Sequence, residues 1–266
     1  MPLNNNPIGV FDSGLGGLTV VKELMRQLPR EDIVYYGDTA RVPYGTKSKE
    51  SIIRFSVENA QVLLRRKVKM IVVACNSSSS YALGVLRKKF PVPVVGVIQP
   101  GARKAVEVTR GGRVGIIATS ATIRSRSYVK AIERVDPSVR VFGQACPLFV
   151  PIVEEGWMDK ELAVLVAREY LKDLKKRKVD ALILGCTHYP LLKKTIRKVM
   201  GKETFLVDSA QEVAREVKEL LACEGLGRSG AGQVRYRFLI SDRPQAFERI
   251  AKGFLGREIK VTCCKS

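Results

Sequence analysis

Leu184-Gly185-Cys186-Thr187-His188-Tyr189-Pro190 follows the apolar run Ala181 to Leu184, and Val73-Ala74-Cys75-Asn76-Ser77-Ser78 closes the apolar run Met70 to Ala74 in the same way. A continuous apolar run that breaks into small polar residues reads as a strand buried on both faces, as strands of parallel sheets are. Each run ends on a cysteine. In open α/β sheets ligands bind at the carboxyl ends of the strands, and the turn into the next helix sets the thiol near backbone N–H groups and a positive helix end, which favours thiolate. The sequence thus offers two similarly framed thiols, and the question is what chemistry needs both.

Working outward, Ile8 to Phe11 is an apolar strand, Asp12-Ser13-Gly14-Leu15-Gly16-Gly17 a glycine-rich turn, and Leu18 to Leu28 a helix. A dinucleotide fingerprint G-x-G-x-x-G would need its third glycine where Thr19 stands, so it fails. The turn still offers N–H groups to a small anion and sets Asp12 at a strand end. Asp32 to Gly37 is a second strand, and Asp38 to Thr46 is a polar loop that Pro43 and Gly45 bend along the sheet edge. A helix from Lys49 to Arg66, the Cys75 strand, a helix from Ser79 to Phe90 and a strand from Pro93 to Val97 follow.

After Gln99-Pro100-Gly101 the pattern restarts, with Arg113 to Ser120 repeating the strand and small-residue turn of Pro7 to Gly14. The spacing between these strands and that between the two cysteines agree to within about five residues, the mark of a doubled unit. The expected fold is α/β: two similar domains with mainly parallel sheets, related by a pseudo-two-fold axis, the active site in the cleft between them. Residues 1–98 with 210–266 form the Cys75 domain, and 99–209 the Cys186 domain. The second half continues through a strand near Val139 to Gln144, the segment Cys146 to Gly156, a helix from Lys160 to Lys176, the Cys186 strand, a helix through Val199, and a strand, Phe205 to Ser209, ending at a helix cap. The chain then crosses back through an exposed loop, Gly225 to Gly232, a strand near Val234 to Ile240, a helix from Pro244 to Lys252 and a strand from Glu258 to Val261.

Composition narrows the class. At 266 residues and 45% hydrophobic content the chain is ordinary for a globular protein. It has no basic leader followed by an apolar stretch, and no run near the ~18 apolar residues of a membrane span, so a cytoplasmic protein without membrane contact is expected. Six cysteines without a secretory leader do not read as a disulfide framework. The net charge of +20 suits a polyanion such as nucleic acid, or a solvated surface. Runs such as Arg65-Arg66-Lys67 and Lys175-Lys176-Arg177-Lys178 fall at expected helix ends, where cations complement the dipole, and no aromatic-interleaved basic segment accompanies them.

One base removes and returns a proton on one face of a carbon only, whereas two bases on opposite faces invert it. Thiols suit this task because a reference pKa near 8.5 is readily tuned toward neutrality. Asp12 and His188 are the natural proton-handling neighbours of the two thiols. A cysteine taken alone is more often a small buried hydrophobe, and Cys146, Cys223, Cys263 and Cys264 are read so. Zinc is the rival for Cys75, Cys186 and His188, but no C-x-x-C pair supports it, and no metal is expected. His188 alternatively serves as a buried hydrogen-bonding residue.

The stretches Phe11 to Gly17, Tyr36 to Gly45, Val73 to Asn76, Cys146 to Pro151 and Leu184 to Leu192 together resemble the glutamate racemase family, from about residue 8 to about 210, with a weaker echo through Phe247 to Gly256. The resemblance implies interconversion of L- and D-glutamate without a cofactor, supplying D-glutamate for peptidoglycan, by a homodimer. It implies that Cys75 abstracts the α-proton of D-glutamate and Cys186 that of L-glutamate. Asp12, His188 and Glu154 assist, and Asp12, Ser13, Tyr44, Gly45, Asn76, Ser77, Thr187 and His188 contact substrate. One departure is Ser77-Ser78, where the family reads Thr-Ala, so the hydroxyl stays and a methyl is lost. Two other readings remain: a two-cysteine racemase or isomerase of aspartate or another small acid, and a nucleic-acid- or gyrase-associated second role.

Overall fold

The computed structural model describes residues 3–229, 232–242 and 244–264. The chain runs through β1 (Ile8–Asp12), α1 (Leu18–Gln27), β2 (Ile33–Gly37), α2 (Lys49–Leu64), β3 (Met70–Val73), α3 (Asn76–Tyr81), α4 (Leu83–Lys89) and β4 (Val94–Gly96). It crosses on α5 (Ile98–Val108) to β5 (Arg113–Ala118), α6 (Ser120–Ser125), α7 (Ser127–Val135), β6 (Arg140–Ala145), α8 (Phe149–Glu154), α9 (Glu161–Lys176), β7 (Ala181–Gly185), α10 (Lys193–Met200) and β8 (Phe205–Asp208). It returns on α11 (Ser209–Cys223) to β9 (Tyr236–Ile240), α12 (Pro244–Leu255) and β10 (Val261–Cys263).

Two all-parallel sheets result, in the orders β10-β9-β2-β1-β3-β4 and β6-β5-β7-β8. The unit β2-β1-β3-β4 reappears as β6-β5-β7-β8, the doubling that the sequence spacing indicates. β1, β2, β3 and β7 are buried along their whole length because helices cover both faces, which is why each reads as an unbroken apolar run. The two crossover helices, α5 and α11, pack against each other.

This strand order dictates where a ligand can sit. Each unit winds outward from its first strand and then reverses, so the crevice opens between the first and third strands. Just beyond the carboxyl ends of those strands stand Ser13 and Cys75 in one sheet, and Thr119 and Cys186 in the other.

Several expectations are corrected. Gln99-Pro100-Gly101, after which the pattern restarts, lies inside α5, a helix not expected there: Pro100 falls in the first helical turn, where its missing N–H would have had no helical acceptor. The helix expected from Ser79 to Phe90 is two, α3 and α4, meeting at Ala82, and α3 starts directly after Cys75. The last strand sits at Val261–Cys263, beyond most of the expected Glu258 to Val261. Of the Gly225 to Gly232 loop, residues 230 and 231 lie outside the described residues, as do Met1 and Pro2. The rest of the loop is anchored. The buried Lys69 ammonium donates to Leu226 O at 2.8 Å and Asn4 O at 2.9 Å and pairs with Glu31, to which the Arg228 N–H also donates at 2.8 Å. Among the described residues no helix is long and apolar enough to cross a membrane.

Candidate active site

The first sheet's crevice holds Asp12, Ser13 and Cys75. Asp12 is fully buried at the end of β1, and its Oδ2 accepts the Gly14 N–H at 3.0 Å. Cys75 occupies the N-cap position of α3 with its sulfur 3.7 Å from Ser13 Oγ. Burial, and then the Asp12 charge, push the Cys75 thiol up to about 11, so it stays protonated near neutral pH. Burial also raises Asp12, against the pull of His188 and the N–H groups of Gly14, Gly17 and Ser13. Two polar atoms here, Asp12 Oδ1 and Asn76 Nδ2, are buried without a hydrogen-bond partner among the described residues. Buried orphans of this kind call for a ligand or water.

The second sheet's crevice holds Cys186, Thr187 and His188. The Cys186 sulfur lies 3.8 Å from His188 Nδ1, and His188 Nε2 lies 3.0 Å from Glu154 Oε1 on α8. Burial alone would lower the His188 pKa, but hydrogen bonds to Cys186 and Glu154 and their charges lift it to about 10. An imidazolium against the sulfur is the partner a thiolate requires. Phe254 of α12 meets the imidazole edge to face, with ring centroids 5.9 Å apart.

The two crevices are interlocked. A Cβ on Gly16 would come 2.2 Å from Thr187 Oγ1 and 2.6 Å from His188 Nδ1, so only glycine lets this turn approach the second thiol's loop. Thr19 Oγ1 donates to Thr187 O at 3.0 Å, and Ser77 Oγ meets Thr119 Oγ1 at 3.0 Å. Gly45 is pressed against Thr119, where a Cβ would come 2.7 Å from its neighbour's Cβ. The Tyr44 hydroxyl bonds to Asp38, a fully buried carboxylate that also accepts from Arg41 Nε at 2.7 Å and Ser241 Oγ at 3.1 Å. A cavity of about 370 Å³ is lined by Gly14, Leu15, Val42, Glu154, Phe247 and Ile250, so it shares Glu154 with the Cys186 crevice and Gly14 with the Asp12 turn.

The structure therefore gathers Asp12, Ser13, Cys75, Asn76 and Ser77 at one crevice, Cys186, Thr187, His188 and Glu154 at the other, and Tyr44 and Gly45 on the loop that abuts Thr119. Sequence reasoning missed Gly16, Thr119, Asp38 and Phe254. Only Thr119 left a signal: it stands one residue past β5, as Ser13 stands one residue past β1. Among the described residues no three His, Cys, Asp or Glu side chains are grouped to hold a metal ion.

Comparison with known proteins gives a consistent result. The sequence pattern of the Asp/Glu/Hydantoin racemase family matches residues 8–217. A glutamate racemase of Geobacter metallireducens is 54% identical over 252 residues, covering 95% of this chain and 93% of its own length. The crystal structure of glutamate racemase isoform RacE1 from Bacillus anthracis superposes with a TM-score of 0.96 at 40% identity over 98% of both chains. That of a Francisella tularensis glutamate racemase in complex with D-glutamate gives a TM-score of 0.93 at 39% identity, again over 98% of both. This chain belongs to the Asp/Glu/hydantoin racemase family, among the glutamate racemases.

Proposed function

We propose that this chain interconverts L- and D-glutamate with two thiol bases, Cys75 and Cys186, acting on opposite faces of the α-carbon. The observation that carries the reading is the unequal pairing of two equivalent positions. Cys75 sits as a buried thiol beside Asp12, whereas Cys186 faces a His188 whose pKa is lifted to about 10. A donor on one side and an acceptor on the other is the starting arrangement that inversion needs.

With L-glutamate bound, the Cys186 thiolate takes the α-proton and the Cys75 thiol delivers its own to the opposite face. One proton leaves the carbon and one arrives; the sulfurs exchange protonation states. D-glutamate runs the same steps backward, with Cys75 as base. Glu154 holds His188, and His188 holds the charge on Cys186. The orphaned Asp12 Oδ1 receives the substrate ammonium, and Asn76 Nδ2 donates to a carboxylate. The hydroxyls of Ser13, Ser77 and Thr187 and the Tyr44–Gly45 loop complete the grip. No step draws on a cofactor or metal. The D-glutamate formed serves peptidoglycan synthesis, and the working assembly is a homodimer of chains divided at 98/99 and 209/210.

Circular dichroism of L- and D-glutamate conversion by Cys75→Ala and Cys186→Ala tests the reading. Each variant is expected to lose racemisation, and full activity in either ends the two-thiol mechanism. Parallel assays with L-aspartate decide the acid, the expected result being turnover of glutamate alone.

A further inference from the structure

Tyr128 is almost completely buried and packs against the residue before one thiol while its hydroxyl bonds to the residue after the other. Its ring lies in a slot between two glycines. A Cβ on Gly101 would come 3.3 Å from Tyr128 Cε1, and one on Gly185, the residue before Cys186, would come 3.2 Å from Cε2. Its hydroxyl reaches across to the first half and donates to Asn76 Oδ1 at 2.8 Å; Asn76 is the residue after Cys75. Burial raises the phenol's pKa, so it remains a donor.

An asparagine amide presents an acceptor on one side and two donors on the other, and its neighbours decide which way round it stands. Here the phenol occupies the acceptor, and Nδ2 is left buried without a partner. We propose that Tyr128 is a positioning residue: it fixes the Asn76 amide with its NH2 group turned to the substrate carboxylate, and it ties that orientation to the Cys186 loop. The proposal rests on Asn76 contacting substrate, as set out above. Without the hydroxyl the amide is free to turn its oxygen toward the carboxylate, which repels it.

The test is a double-mutant cycle of Tyr128→Phe and Asn76→Ala, read as KM for both enantiomers. KM does not depend on the folded fraction of a preparation, so partial misfolding leaves the readout intact. Tyr128→Phe is expected to raise KM roughly 3–10-fold, the size of one lost hydrogen bond between neutral groups, with kcat changed less than about twofold. In the Asn76→Ala background the same substitution is expected to change KM by less than about twofold. The thermal shift produced by D-glutamate should shrink in step. An unchanged KM in Tyr128→Phe, or the same factor in both backgrounds, overturns the positioning role. If Asn76→Ala itself leaves KM unchanged, Asn76 is no substrate contact and the reading beneath the proposal falls with it.

Discussion

Glu154 grips His188 from behind, Oε1 to Nε2 at 3.0 Å, while the front of the same imidazole meets the Cys186 sulfur at 3.8 Å. The carboxylate is one of the groups that lift His188 to about 10. Glu154→Gln keeps a hydrogen bond and removes the charge, so the His188 pKa should fall toward 6.5. A pH–rate profile should show the alkaline limb of kcat/KM moving down by roughly one unit, with little loss at pH near 8 and up to roughly tenfold loss above the original limb. An unmoved limb would detach Glu154 from the proton chemistry.

Both raised groups act on stability in the same sense. His188 is lifted from 6.5 to about 10 and Cys75 from 9.0 to about 11, each above its unfolded value. What each contributes to stability is complete below its unfolded value and is lost as pH rises through the folded one. Urea denaturation should therefore show stability declining between pH 6.5 and 11, and Cys75→Ser should flatten the part above 9.

Asp12 has the opposite relation between stability and function. Its carboxyl pKa is raised by burial, so the ionised group weakens the fold at neutral pH, and this penalty fades as pH falls toward 3.8. Asp12→Asn should raise neutral-pH stability by ~1 kcal/mol, measured by thermal melting, while kcat/KM drops on the order of 100-fold or more.

Gly16→Ala forces a methyl into atoms 2.2 Å and 2.6 Å away on Thr187 and His188. The loop must give way, at ~1–3 kcal/mol of overpacking. Racemisation should fall at least about tenfold while far-UV circular dichroism keeps the fold signature, because the displaced groups are those beside Cys186.

Lys69→Met supplies the contrast. The ammonium is fully buried against Glu31 and two backbone carbonyls, well away from both thiols. Removing it leaves a buried carboxylate short of its cation, and denaturant titration should register a loss of ~3 kcal/mol with steady-state kinetics unchanged.

What was legible in the sequence was what periodicity and punctuation record: buried parallel strands as unbroken apolar runs, and the doubling as the similar spacing of Ile8 to Val114 and of Cys75 to Cys186. What was not legible came from residues whose local meaning tertiary contacts reverse. Pro100 and Gly101 look like a break, yet the proline fits a first turn and the glycine makes room for the Tyr128 ring. Short helices such as α6, α7 and α8 carry too few turns for a pattern to stand out. In the site, the cysteines and their neighbours stood in recognisable motifs, but nothing local marks Gly16 as the contact point for His188, or Asp38 as the hub that holds Tyr44. Those roles exist only once residues far apart in the chain have met.

The two thiols are dressed differently, one with Ser13 and Asp12, the other with His188 and Glu154. Enantiomers have identical free energies in water, so the equilibrium constant of their interconversion is unity. Detailed balance then forces kcat/KM to be equal for the two directions, in this chain and in every variant of it at a given pH. The unequal dressing can therefore appear only as compensating differences in kcat and in KM. Whichever enantiomer is held more tightly must be turned over more slowly by the same factor, and changing one thiol's neighbours shifts that division without ever favouring one product at equilibrium.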